Sequence, residues 1–204
     1  NHMGFQMQVL AFDYIFADQA QHVLRQIYGT ISATFLGKDI GVNVFHYGKV
    51  GILNPSINVG NICVPISALD ENKVLKGDKR VSPIHNQLAL DTPEASAFEQ
   101  SVGERVIRVT TVNTNSVLRQ TRRDLELDAA AGGELLEMEW APMASLDHGY
   151  LSMYPGLGKI NHYFAGIGSD KPLTGESLGN TPYPRDQERK VARAMLHIIE
   201  GCHD

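Results

Sequence analysis

Glu137 and Glu139 flank Met138 in the run Glu134-Leu135-Leu136-Glu137-Met138-Glu139-Trp140, which follows a Gly132-Gly133 turn. Two carboxylates in an otherwise apolar stretch are a poor way to build a core, so they point to something they hold. On a strand end, period-two alternation would set both acids on one side with Met138 opposite. At a helix start, both would lie in the first turn, where the macrodipole favours negative charge. The plain alternative is a pair of solvated acids at a helix start. Gly48-Lys49-Val50-Gly51 reads as a loop directly after a strand, where α/β proteins place ligand-binding backbone. Lys49 there is either a useful point charge or a surface lysine beside a turn. Asp170, before Lys171-Pro172, is ordinary turn chemistry when taken alone. His46 on an apolar strand reads as a satisfied core histidine. His22, His85, His148 and His162 lack metal-ligand spacing, so no metal and no cofactor is expected.

These residues must be held by an alternation of strands and helices. Gln8–Phe12 reads as a short buried strand, and 18–28 has helical spacing in Ala20, Val23, Leu24 and Ile27. Residues 41–47 form a second strand and 61–66 a third, with Pro65 expected at that strand's end or edge. Residues 70–92 read as a long polar excursion, a length usually functional or disordered. Thr92-Pro93-Glu94 starts a helix by its capping residue and first-turn proline. Residues 105–112 alternate as a strand. Thr114 or Asn115 is expected to cap a helix carrying Val117, Leu118, Thr121 and Leu125. A helix after Glu137-Met138-Glu139, through Met143 to Leu146, a loop over 147–160 and a last strand over 160–167 follow. A final helix over 185–201 keeps Val191, Ala194, Met195, Ile198 and Ile199 on one stripe. The expected class is α/β: a single domain over 4–204 with a central mixed, mostly parallel, twisted sheet flanked by helices. Asn1-His2-Met3 reads as a cloning remnant.

Composition narrows the partners. A chain of 204 residues with 43% hydrophobic content has room for one sizeable core. The net charge of −5 with no basic run offers no footprint for a nucleic-acid polymer. No apolar run approaches the roughly 18 residues of a membrane span, and a cytoplasmic location is expected. Cys63 and Cys202 lie far apart without a CxxC pattern and read as buried thiols.

With the order of elements fixed, three loop signals fall at separate strand ends and together resemble the nucleoside phosphorylase and nucleosidase superfamily. Gly48-Lys49-Val50-Gly51-Ile52-Leu53, with Val59-Gly60-Asn61-Ile62-Cys63-Val64-Pro65, is similar to the family's Gly-(Ser/Thr)-Ala-Gly-Gly-Leu loop and its Gly-Asp-Ile-Val-x-Pro strand. Val112-Asn113-Thr114-Asn115-Ser116-Val117-Leu118 resembles the segment after the next strand. Glu137-Met138-Glu139 matches the ribose-binding motif, and Ser169-Asp170 resembles the late Ser-Asp pair. The similarity spans roughly residues 41–200 and departs from the family at several positions. Lys49 stands where phosphorolytic members carry Ser or Thr, Asn61 where Asp is usual, and Gly166 where Arg is frequent. Asp13 and Asp18 are the only acids near the family's N-terminal segment.

The resemblance implies cleavage, by hydrolysis or phosphorolysis, of the N-glycosidic bond of a purine-type nucleoside or nucleotide. Such a site must grip sugar hydroxyls and neutralise charge on the leaving base. It assigns sugar binding to Glu137, Met138 and Glu139, general acid catalysis to Asp170, and a phosphate or base-side loop to Gly48, Lys49 and Gly51. A small-molecule nucleoside or nucleotide, with inorganic phosphate as an alternative co-substrate, and a homo-oligomeric assembly are expected. Two rival readings are a catalytically degenerate nucleoside-binding protein and an enzyme reusing the sugar pocket for other chemistry on a modified nucleoside.

Overall fold

The computed structural model describes residues 18–35, 40–114, 120–153, 157–176 and 185–201. Its elements run α1 (Asp18–Thr34), β1 (Ile40–Ile52), β2 (Ile62–Asp70), α2 (Glu71–Val74), β3 (Ser82–Pro83), α3 (Pro93–Val102) and β4 (Ile107–Asn113). They continue with α4 (Arg122–Ala130), β5 (Leu135–Glu137), α5 (Trp140–Met153), β6 (Leu157–Asp170) and α6 (Arg185–Gly201). The class is α/β with a mixed sheet, as expected. Strand order is β3-β2-β4-β5-β1-β6, and β6 also pairs with β2, so β2, β4, β5, β1 and β6 close on themselves. The long pairings are parallel, β1 with β6 and β2 with β4, as is β4 with β5. The shorter ones of β1 with β5, β2 with β3 and β2 with β6 are antiparallel.

Helices cover the sheet according to their apolar stripes. Tyr28 and Leu24 of α1 and Trp140, Met143 and Leu146 of α5 form one core with Val50, Ile52, Leu135 and Phe164 of the strands. Phe98 and Val102 of α3 and Val191, Met195 and Ile198 of α6 pack on Ile62, Val64 and Ile167. Leu125 of α4 joins Leu53, Val112 and Leu136 in a third cluster. The boundaries of α6 are those its sequence stripe indicates. Thr92 caps α3 as expected, its hydroxyl accepting from Ala95 N–H at 3.1 Å.

Several expectations are corrected. Gly48-Lys49-Val50-Gly51 is not a loop but the continuation of β1, in register with Gly166, Ile167, Gly168 and Asp170 of β6. Backbone pairing to β6, and to β5 at Gly51 and Ile52, overrides the weak strand preference of glycine. Pro65 lies inside β2, not at its end; a register shift between Pro65 and Ser67 is the kind of irregularity that tolerates a missing N–H. The 70–92 excursion is tied down by Asn86, which is completely buried. Its amide donates to the carbonyls of Phe164 at 2.9 Å and Pro65 at 3.2 Å, and its oxygen accepts from the N–H groups of Phe164 and Leu88.

The helix after β4 starts at Arg122, capped by Thr121 with Asp124 in a reciprocal capping box, rather than by Thr114 or Asn115. Asn115, Val117, Leu118 and the Gln8–Phe12 strand lie outside the described residues, as does Cys202. The helix after Glu139 extends to Met153 and β6 begins at Leu157, so most of the supposed 147–160 loop is regular structure. Pro142 sits in the first turn of α5, where its missing N–H costs nothing.

Candidate active site

Glu137 ends β5 and its side chain starts α5. Its carboxylate accepts from the N–H groups of Glu139 at 2.7 Å, Trp140 at 2.5 Å and Ala141 at 3.4 Å, which serves the orphan donors of a helix N-terminus. The two acids therefore divide: Glu137 is buried and committed to backbone, while Glu139 and Met138 are half-buried. Burial pushes the Glu137 carboxyl up to about 8; the three N–H donors oppose this, and the charge of Glu139 adds to it. Neither alternative holds for both acids: Glu137 ends β5, Glu139 lies in the bend that follows, and α5 begins only at Trp140.

Asp170 is the last residue of β6 and lies opposite Gly51, whose other neighbour is Leu136 of β5. At about 4.8 Å per strand spacing, Asp170 is one spacing from Gly51 and Glu137 roughly 10 Å from Asp170. Lys49 lies two residues before Gly51, pairs with Ile167 three residues before Asp170, and is exposed. Asp170 is buried, and Ser169 Oγ donates to its Oδ1 at 2.6 Å. The same hydroxyl lies 3.1 Å from the Val50 carbonyl, so its single proton serves one acceptor at a time. Burial pushes the Asp170 carboxyl upward, the Ser169 bond holds it down, and Glu176 pushes it up further. A buried carboxyl with a raised pKa at a strand's C-terminal end can deliver a proton.

A further row crosses the sheet at the same end. Asp70, Asn113 and Glu137 are in register across β2, β4 and β5, at the carboxyl ends of strands where open α/β sheets bind ligands. The Asn113 side-chain oxygen is buried without a hydrogen-bond partner among the described residues. Thr114, next in the chain, donates its N–H to the Glu137 carbonyl at 2.9 Å.

Three relationships escape a reading of the sequence because their members are far apart in the chain. Trp140 Nε1–H donates to His46 Nδ1 at 2.9 Å across 94 residues. Burial lowers the His46 imidazole to about 4, so it is neutral, as a core histidine should be. Glu134 accepts from Asn54 Nδ2 and from Thr110 N–H, fixing the entry to β5. Glu71 accepts from Thr114 and Gln120 on either side of 115–119. Cys63 is a free, buried thiol that burial first and Glu134 second push up to about 12.

An open depression of about 350 Å³ lies between Leu53-Asn54-Pro55 and the Gly132-Gly133-Glu134 turn. None of Lys49, Glu137, Glu139 or Asp170 lines it. Among the described residues no group of three or more His, Cys, Asp or Glu gathers as metal ligands. No helix among them is long and apolar enough to cross a membrane.

A family model described as the phosphorylase superfamily matches residues 34–150, more than half of the chain. The chain belongs to this superfamily of nucleoside phosphorylases and nucleosidases. Solved structures agree at the level of fold. A Helicobacter pylori MTAN mutant with 5′-methylthioadenosine in its active site is 10% identical with a TM-score of 0.61, over 92% of this chain and 77% of that one. AMP nucleosidase from Bacteroides thetaiotaomicron is 15% identical with a TM-score of 0.57, over 93% and 71%. A Plasmodium knowlesi homologue of the P. falciparum PNP is 16% identical with a TM-score of 0.54, over 76% of this chain but only 60% of its own length. No curated protein sequence matches the chain.

Proposed function

We propose that this protein cleaves the N-glycosidic bond of a purine-type nucleoside or nucleotide. The reading is carried by the placement of Asp170 opposite Gly51, with the Glu137-capped start of α5 one strand further on. Bond breaking leaves the sugar cation-like and sends the electron pair to the base nitrogen. Asp170 supplies the proton the departing base needs, and Glu139 accepts hydrogen bonds from the sugar hydroxyls. Met138 packs against the sugar, and Glu137 holds the helix start from which Glu139 acts. A nucleophile adds to the anomeric carbon and loses its own proton.

An aspartate at this place, as in the purine-specific members the chain resembles, favours a purine leaving group. The fold is shared with an AMP nucleosidase, an MTAN holding 5′-methylthioadenosine and a uridine phosphorylase, which supports a nucleoside or nucleotide substrate. Water is favoured over phosphate as nucleophile by Gly166. That position carries no side chain, and Trp140 takes the space beside it. Lys49 would supply a point charge for a phosphate carried by a nucleotide substrate. Self-association into a homo-oligomer belongs to the same reading.

Incubation of adenosine, 5′-methylthioadenosine, AMP and uridine with the protein, with and without inorganic phosphate, tests this. Free base from a purine substrate regardless of phosphate is the expected result. Release only with phosphate would replace hydrolysis by phosphorolysis, and binding without release would make this a nucleoside-binding protein.

A further inference from the structure

Glu71 opens α2 and is only 8% exposed. A carboxylate so placed loses its hydration unless other donors replace water. Two do, both from beyond the end of β4. Thr114 Oγ1–H donates to Oε2 at 2.8 Å, and Gln120 Nε2–H donates to Oε1 at 2.7 Å. Thr114 is itself 1% exposed, and its peptide N–H reaches the Glu137 carbonyl at 2.9 Å. The adjoining residues Asp70, Asn113 and Glu137 are the in-register row at the strand ends.

We infer that Glu71 is a positioning residue: one buried carboxylate fixes Thr114 and Gln120, on either side of 115–119, and through the Thr114 peptide fixes the strand end from which Glu139 meets the sugar. A lone acid at a helix start needs no such partners. α2 is only four residues long and is already capped by the Asp70 side chain, which accepts from Asn72 N–H. The two charge-assisted bonds instead cross to a different part of the chain, more than 40 residues away. A carboxylate can serve both donors at once, whereas an amide in its place presents one accepting oxygen and two competing N–H groups.

The inference rests on the glycosidic-site reading for its link to the sugar, and the experiment separates the two. Wild type, Glu71→Gln and Glu71→Ala are compared by amide hydrogen exchange and by steady-state base release from the best substrate of the panel above. Exchange is expected to rise at least about tenfold at 110–114, 120–121 and 137–141 in Glu71→Ala, with α6 unchanged. The expected kinetic effect is a KM raised about tenfold with kcat within about threefold, partly rescued in Glu71→Gln. Unchanged exchange at 110–114 and 120–121, or a uniform rise across the whole chain, would overturn the positioning role. So would an unchanged KM in an active enzyme. If the wild type releases no base at all, the glycosidic reading fails, and exchange alone still decides what Glu71 holds.

Discussion

The indole of Trp140 fills the space that any side chain at Gly166 would need. A Cβ added to Gly166 would lie 2.5 Å from Trp140 Cη2 and 2.8 Å from Val50 Cγ1. Trp140 is 1% exposed, its ring lies parallel to that of Phe164, and its N–H is held by His46, so it has nowhere to retreat. The first turn of α5 is thereby locked onto β1 and β6, the strands that carry Gly51 and Asp170.

Gly166→Ala is therefore expected to destabilise the protein by about 1–3 kcal/mol through overpacking. Trp140→Ala should cost about 3–5 kcal/mol through the cavity it leaves. Combining Gly166→Ala with Trp140→Phe should recover part of the first loss, because the residues touch and their effects are not additive. Urea unfolding of the wild type, Gly166→Ala, Trp140→Phe and their double variant measures this; strict additivity would mean that the two positions do not share the space.

Asp170 should set the alkaline limb of the pH–rate profile. As a general acid it works only while protonated, so turnover falls as pH rises through its pKa. The Ser169 hydroxyl holds that pKa down, and Ser169→Ala removes the hold and should move the limb to higher pH. Asp170→Asn should lower kcat by about 100- to 10,000-fold. A limb that stays in place in Ser169→Ala would separate Asp170 from the titration.

Asp128 is completely buried on α4, and neither carboxyl oxygen has a hydrogen-bond partner among the described residues. Burial first, then the charges of Glu71 and Asp124, push it up to about 7 from an ordinary 3.8. The native state therefore binds more protons than the unfolded chain between these values. Stability from this group is highest at low pH, declines as pH rises from about 4 to about 7, and is flat beyond. Asp128→Asn should gain on the wild type across that window. Melting temperatures measured from pH 4 to pH 8 check it, and parallel curves for the two proteins would count against a protonated Asp128.

Lys49 distinguishes a nucleotide substrate from a nucleoside. If it meets a substrate phosphate, Lys49→Ala should weaken turnover of a nucleoside 5′-phosphate and leave that of the nucleoside close to wild type. Rates on AMP and adenosine compare the two directly. Equal losses on both would remove phosphate recognition from this lysine.

What could be seen in the sequence follows the range of the forces involved. The Thr92-Pro93 start of α3 and the apolar stripe of α6 are local signals, and both elements form where those signals lie. The order of strand-end motifs pointed to the superfamily even though each motif alone was weak. The extension of β1 through Gly48–Gly51 was hidden, because glycines read as a loop until β6 and β5 supply pairing partners. Pro65 inside a strand depends on an irregularity in β2 that no local pattern announces. The division of labour between Glu137 and Glu139 likewise needed the helix start in view, since a carboxylate bound to three backbone N–H groups looks in sequence like any other. The partnerships of His46 with Trp140, and of Asn86 with Phe164, span too much chain for any spacing rule.

Whether Asp170 and Glu139 act on one glycosidic bond is tested most directly by base release from adenosine, 5′-methylthioadenosine and AMP by the wild type, Asp170→Asn and Glu139→Gln, all confirmed folded by their melting temperatures. Release by the wild type is expected, with both variants reduced by at least about 100-fold on the same substrate. Wild-type rates in both folded variants, or no release from any of the three substrates by the wild type, would contradict it.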